Sequence, residues 1–408
     1  MAYQFTADDV RFLTSPAGFE ALTGADTLPL TESTLLTDLT TLRKRLAVGA
    51  APVAETVRLR RRAVDKLGPE AAGWLFTDEA LQQATPGPVA AHRARRLAGT
   101  AVHDLTCSIG ADLAALLRSM GSRSAAARLG SDLDPVRLLM ARHNLRAAGL
   151  AAPLLRADAL TRTSHGLLGY ADPARRDRTG RRITSASTLP SVAELDAVHS
   201  ARPPVLRLPP GIDYDELARP GEVEIVSLDG GAREAVLWPA ELALVARRAT
   251  VLSSGPGGGA WQVTSDEPDD AGVGPVGDVI IDPDPAVVRA HLVRHYAARH
   301  GLWLLDPHLA YLTGSVVPLG IRAFRVLDSA PYREKTVAGW ARRDRIGTLE
   351  IKQRGTPVIP DDLRRRLRPA LTGPTTAAAT LVVARIGQDA QAFWCRAVAA
   401  NPAPAQPG

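Results

Sequence analysis

Four times between residues 101 and 172 a short apolar run closes on an aspartate. The runs AVHD, ARLGSD, LLRAD and LLGYAD end at Asp104, Asp132, Asp158 and Asp172. Helical patterns separate most of them. Apolar runs of this length read as strands buried on both faces, and helices between them call for a parallel sheet covered on both sides. The runs PPVLRLPP and ATVLSS bring the set to six candidate buried strands and carry it to residue 252. In a doubly wound α/β sheet, ligands bind beyond the carboxyl ends of the strands, where the strand order reverses. Acids at four consecutive strand ends are therefore expected to surround one crevice.

At 408 residues the chain is long enough for two or three units. An apolar fraction of 45% with 23% charged residues fits a globular chain, and no stretch approaches the roughly 20 apolar residues of a membrane span. The opening MAYQFTADDVRFLT has no basic-then-apolar leader pattern, so a cytoplasmic location is expected. Only Cys107 and Cys395 occur, too few for a disulfide framework or an all-cysteine zinc site, and no metal is expected.

Residues 1–95 read as an N-terminal helical unit. TLLTDLTTLRKRL, AETVRLRRRAVDKL and PVAAHRARRL carry helical spacing, and Thr77 suits an N-cap. Residues 96–252 hold the parallel sheet. The Gly/Asp/Pro-rich stretch 253–277 reads as a mobile linker. Residues 278–400 alternate strand and helix as a small α/β module, and 401–408 form a frayed tail.

The strand ends carry distinct chemistry. After Asp104 the turn LTCSIG holds Cys107 and Gly110 before a helix, where glycine permits close backbone approach and helix amides can face a carboxylate. Asp132 is placed to accept hydrogen bonds from two ribose hydroxyls. Asp134 before Pro135 reads as a helix cap with proline at the first helical position. Asp158, between Ala157 and Ala159, can meet the exocyclic amine of an adenine. Asp172 is followed by Pro173, which fixes the backbone, and then by Arg175, Arg176 and further arginines. The first turn has one glycine and lacks the G-x-G-x-x-G triad of a dinucleotide fold, which favours a methyltransferase over a nicotinamide dehydrogenase.

With these residues in view, the chain resembles the bacterial methyltransferases that carry a C-terminal THUMP-like domain. The matching segments run nearly the whole length: LFTDEALQQATPGPVAAHRA, DLTCSIGADL, SDLDPVRLLMARHNL, GYADPARR, LPPGID, IIDPDPAVVRAHL and TLEIKQRG. SDLDPVRLLMARHNL is also distantly similar to trimethylguanosine synthases. The resemblance implies a Rossmann-like fold, S-adenosyl-L-methionine as methyl donor and RNA as the expected substrate. Asp104, Cys107, Gly110, Asp132 and Asp158 then form the expected cofactor set, with Asp172 and Pro173 at the reacting centre. One departure stands out. Asp172-Pro173 continues as Ala174-Arg175, without the second proline and aromatic residue common in enzymes that methylate exocyclic amines.

Methyl transfer from a sulfonium is an in-line displacement governed by placement of the acceptor lone pair. Asp172 could accept a hydrogen bond from a target N–H, or could simply start a turn before proline. Arg175 and Arg176 could hold phosphates or be solvated loop charges. Residues 321–370 hold 13 Arg/Lys against 6 Asp/Glu, whereas the whole chain is only +6. Lys352, Arg354, Arg364, Arg365 and Arg366 in this stretch are expected to grip a phosphate backbone. The alternative for DDLRRRLR is a solvent-facing helix that pairs acid with base. A non-catalytic RNA-binding scaffold and a small-metabolite methyltransferase remain open as other readings of the same residues.

Overall fold

The computed structural model describes residues 3–398 apart from 47, 121–126, 174–187, 215, 217–218, 256–257 and 319–320. It divides into two compact units, Met1–Gly221 with Arg233–Ala243, and Glu222–Ala232 with Leu244–Gly408.

The first unit begins with helices α1 (Ala7–Leu13), α2 (Pro16–Asp26), α3 (Leu35–Arg45), α4 (Ala50–Leu67), α5 (Asp78–Gln83) and α6 (Gly87–Arg96). Side-chain caps start several of them: Thr6 accepts from the Asp9 amide, Ser15 from Gly18 and, as expected, Thr77 from Ala80. There follow β1 (Val102–Asp104), α7 (Ala111–Arg118), β2 (Arg128–Asp132), α8 (Pro135–Ala147), β3 (Leu154–Arg156), β4 (Leu168–Ala171), α9 (Val192–Val198) and β5 (Val205–Leu208). The strands stand in the order β3-β2-β1-β4-β5, all parallel. The order reverses between β1 and β4, so the crevice of a doubly wound sheet opens beyond their carboxyl ends. β1, β4 and β5 are buried along their whole length, whereas β3 is a half-exposed edge strand and corrects the expectation of a buried one.

The N-terminal helices share one apolar core with the helices α7 and α8 that cover this sheet. Val53, Val57, Leu59 and Phe76 pack in the same cluster as Ile109, Leu113, Met140 and Leu145. Asn144 on α8 locks the junction. Wholly buried, its Oδ1 accepts from the Leu75 amide at 2.7 Å, and its Nδ2 donates to the carbonyls of Leu75 at 2.9 Å and Ile109 at 3.0 Å. One side chain thus ties the helical segment to the turn after β1.

Strands β6 (Gly221–Leu228) and β7 (Gly231–Pro239) went unread in the sequence. The turn between them is Asp229-Gly230, with φ of 52° and 73°, the geometry of a two-residue type I′ turn. β7 runs antiparallel to β5 in the first unit. In the second unit, β6 pairs in parallel with β8 (Arg247–Leu252), which pairs antiparallel with β9 (Ala260–Thr264). β9 lies inside the stretch expected to be a mobile linker. The apolar positions of AWQVT supply a strand there that the surrounding Gly, Asp and Pro hide. The compact units accordingly part near residues 221–244 instead of at 252.

The remainder is β10 (Val279–Ile281), α10 (Pro285–Arg289), α11 (Val293–Arg299), β11 (Trp303–Leu304), β12 (Leu312–Gly314), β13 (Ala323–Pro331), α12 (Glu334–Arg343), β14 (Thr348–Arg354), α13 (Pro360–Leu367), β15 (Ala378–Ile386) and β16 (Asp389–Val398). The strands form one sheet in the order β11-β12-β10-β13-β16-β15-β14. Val337 and Trp340 of α12 and Leu363 of α13 pack on Leu381, Val383 and Trp394 of one face. Phe324, Val382 and Phe393 pack with Tyr311 on the other.

Replacing Asn144 by alanine strands buried groups of Leu75 and Ile109, at about 1–3 kcal/mol each. Urea unfolding of Asn144→Ala should show a loss of roughly 2–4 kcal/mol. A loss below about 0.5 kcal/mol, the scale of a surface change, would contradict the junction role.

Candidate functional site

At the carboxyl edge of the parallel sheet the turn after β1 folds over the end of β2. The Cys107 amide donates to the Ser131 carbonyl at 2.8 Å, and the Gly110 amide to the Cys107 carbonyl at 2.7 Å. Ser108 takes a positive φ of 48°, a strained conformation for a residue with a Cβ. Gly110, at φ 82°, starts α7 where an added Cβ would lie 3.3 Å from the Ala141 Cβ. Here the sequence puts glycine where backbone and helix α8 come closest.

Asp132 ends β2 beneath this turn. Its Oδ2 accepts from the Ser108 amide and its Oδ1 from the Asp134 amide, each at 2.9 Å. Burial pushes its carboxyl above the ordinary range, against the pull of those two amides. Each oxygen retains a second lone pair for a further donor. Asp134 caps α8 by accepting from the Val136 and Arg137 amides, as expected. Asp158, exposed beyond β3, accepts from the Leu160 amide at 2.9 Å beside Ala157 and Ala159. At the end of β4 the Asp172 amide donates to the Thr106 hydroxyl at 2.8 Å, which joins the strand end to the β1 turn.

One cleft brings together Cys107, Asp132, Asp158 and Asp172 in its wall, with Leu133, Leu189 and Pro190 as apolar surface. Asp104, Gly110 and Pro173 do not line it. Asp104 is buried just behind, with 1% exposure; Oδ1 accepts weakly from the Thr106 amide at 3.3 Å, and Oδ2 has no partner. Burial and the neighbouring Asp112 charge push its carboxyl well up. Pro173 is buried. Arg175 and Arg176 lie outside the described residues.

The sequence reading missed a chain of buried charges under the cleft. Glu234 of β7, wholly buried, accepts at both oxygens from Arg93 of α6 at 2.6 Å and pairs through Oε2 with Arg207 of β5 at 3.1 Å. Arg93 also pairs with Asp112 of α7 at 2.8 Å and lies 5.0 Å from the centre of the Tyr170 ring. The Tyr170 hydroxyl donates to Asp112 at 2.7 Å. Arg207 pairs in turn with Asp172. Burial alone would raise the Asp112 carboxyl, but the Arg93 and Arg207 charges overcome it and hold the group below its usual range. Asp112 and Asp172, which both face the cleft, are thus held from behind by guanidiniums that share one carboxylate. The available signal was a charged residue inside a continuously apolar strand: Arg207 in VLRL.

In the second unit the expected phosphate-gripping residues all have carboxylate partners. Lys352 and Arg354 each reach Asp282 at 2.8 Å. Arg364 pairs with Asp361 at 2.5 Å, Arg365 with Asp362 at 2.7 Å and Arg366 with Glu334 at 2.8 Å.

Known proteins resemble this chain in sequence and in fold. Residues 321–397 match the THUMP domain-like family, and residues 6–63 a domain of unknown function, DUF8688. Two relatives, from two strains of Mycobacterium tuberculosis and both described as uncharacterized S-adenosylmethionine-dependent methyltransferases, are 47% identical over 365 residues, 87% of this chain and 99% of theirs. The crystal structure of a Porphyromonas gingivalis protein assigned as a methyltransferase shares the fold, with a TM-score of 0.62 and 18% identity over 86% of this chain and 92% of that one. The chain belongs to the S-adenosylmethionine-dependent methyltransferases. Within them it stands with those that carry a C-terminal THUMP-like domain, and S-adenosylmethionine is its methyl donor. No helix among the described residues is long and apolar enough to cross a membrane.

Because the folded chain keeps Asp104 protonated to higher pH than the unfolded chain does, its contribution to stability is fully present below the unfolded value near 4 and is lost as pH rises through the folded value. Asp104→Asn cannot ionise. In unfolding experiments without cofactor it should be more stable than the parent at pH 8, with the gap closing towards pH 4. A parent protein equal to the variant at pH 8 would contradict the burial of an ionisable carboxyl with one oxygen unpartnered.

Proposed function

We propose that the cleft holds S-adenosylmethionine along the strand ends and presents an RNA acceptor group to Asp172. The observation that carries this reading is the convergence of Asp132, Asp158 and Asp172 on one cleft, with the unpartnered Asp104 Oδ2 buried behind it. The residues fit the cofactor. Asp132 would take the ribose hydroxyls on its two spare lone pairs. Ala157 and Asp158 would receive the adenine edge, with Leu133 as apolar wall. Asp104 and Asp112 would meet the ammonium of the methionyl end, which gives the Asp104 oxygen the donor it lacks. Cys107 and Gly110 shape the turn that closes this end.

When bound, the cofactor supplies an electrophilic methyl group for in-line displacement. Asp172 then accepts a hydrogen bond from the acceptor N–H and aims its lone pair, while Arg207 holds the carboxylate in place. RNA as substrate is supported by the THUMP domain-like match at 321–397 and by the net +7 of residues 321–370. The internal pairing of the α13 arginines favours a second reading, a small-molecule acceptor.

Two measurements test the reading. By calorimetry, Asp132→Ala should bind S-adenosylmethionine about 10- to 100-fold more weakly, the worth of two hydrogen bonds. Tritiated-methyl transfer to total RNA should fall by about 10²–10³-fold in Asp172→Ala, with cofactor binding kept. Unchanged cofactor affinity in the first variant would overturn the cleft assignment. Transfer to a small-molecule fraction and not to RNA would favour the second reading.

A further inference from the structure

The five basic residues expected to contact a polyanion are occupied by carboxylates, but the same module holds arginines that are not. Arg325 on β13 and Arg396 on β16 stand directly opposite each other across an antiparallel pair. Both are exposed, and neither has an ion pair among the described residues. Like charges directly opposite across two strands repel, and the sheet gains nothing by placing them there. Two aspartates near the pair, Asp328 and Asp344, are engaged elsewhere. Asp328 pairs with Arg343 at 2.8 Å, and Asp344 bonds Arg343 at 2.8 Å and the Trp394 indole N–H at 2.7 Å. Asp344 also feels the Arg396 charge but makes no bond to it. These contacts anchor the end of α12 on the β13–β16 pair. Arg342 and Arg345, which flank the anchor, are exposed and likewise lack a carboxylate partner among the described residues. Five arginines therefore meet two aspartates on this face. Beside Arg325, Leu327 is 46% exposed in the bulge between Val326 and Asp328.

We propose that the Arg325–Arg396 pair, flanked by Arg342 and Arg345, is where this module holds the phosphate backbone of RNA, and that α13 is not. Two guanidiniums at cross-strand spacing can share successive phosphates, with Leu327 as apolar surface against the intervening sugar. The inference rests on the reading of RNA as substrate and assigns the contact to residues different from those first singled out by composition.

The test is a titration of a fluorescently labelled RNA hairpin against salt, using the full chain. Three proteins are compared: the parent, Arg325→Gln with Arg396→Gln, and Arg364→Gln with Arg365→Gln. The first double variant should bind roughly 10- to 100-fold more weakly near 0.1 M salt, and its log–log salt slope should fall by about 1.5–2. Its urea midpoint should hold or rise, because the removed charges repelled each other. The α13 variant should keep affinity and slope within about twofold of the parent. Parent-like binding by the first variant, or loss confined to the second, would overturn the proposal and leave the RNA reading standing. Failure of the parent to bind RNA would overturn both.

Discussion

Glu234 is wholly buried between two guanidiniums, and that placement constrains much of the first unit. A charge taken out of water costs several kcal/mol unless its partners are close and well aligned, and so do the charges brought in to meet it. Arg93 and Arg207 answer Glu234, and each is answered in turn by an acid at the cleft, Asp112 and Asp172. Such a chain is poor evidence for stability, since apolar residues of similar volume often do as well. Its value lies in direction. Guanidiniums fixed from behind leave the cleft acids little freedom, and a carboxylate that must orient an acceptor works only where it is held. Because Arg93 comes from α6, that helix supplies one of the charges that hold an acid at the cleft.

The cleft also carries costs that the fold alone does not explain. Ser108 sits at positive φ, and Asp104 buries an oxygen with no donor. Strain and unsatisfied groups of this kind persist where the surroundings over-determine them, and they collect at binding sites. A ligand that brings an ammonium group to Asp104 would recover part of that cost.

What the sequence made legible follows from the range of the interactions. Asp132, Asp158 and Asp172 could be placed at one sheet edge because each falls where an apolar run stops, a local signal, whereas the same signal did not show that Asp104 is buried behind the cleft wall. The caps at Thr77 and Asp134 were legible for the same reason. Arg93 and Glu234 are 141 residues apart, and no local pattern announces their pairing. Strands β6 and β7 did have a local signal, the Asp229-Gly230 turn, which the search for buried parallel strands passed over. Charge density misled in the opposite sense: Arg364 and Arg365 lie three residues after Asp361 and Asp362, where helix geometry pairs them. Arg325 and Arg396 become neighbours only through a long-range strand register.

The most direct test is made on Glu234 itself. Glu234→Gln keeps the shape of the side chain and removes the charge shared by Arg93 and Arg207. The variant should still fold, with stability lower by about 3 kcal/mol, as for one partner removed from a buried ionic network. Calorimetry should then show S-adenosylmethionine binding weakened at least tenfold, because the acids facing the cleft lose their fixed supports. A folded Glu234→Gln protein that matches the parent in both stability and cofactor affinity would contradict the role given to the buried charge chain.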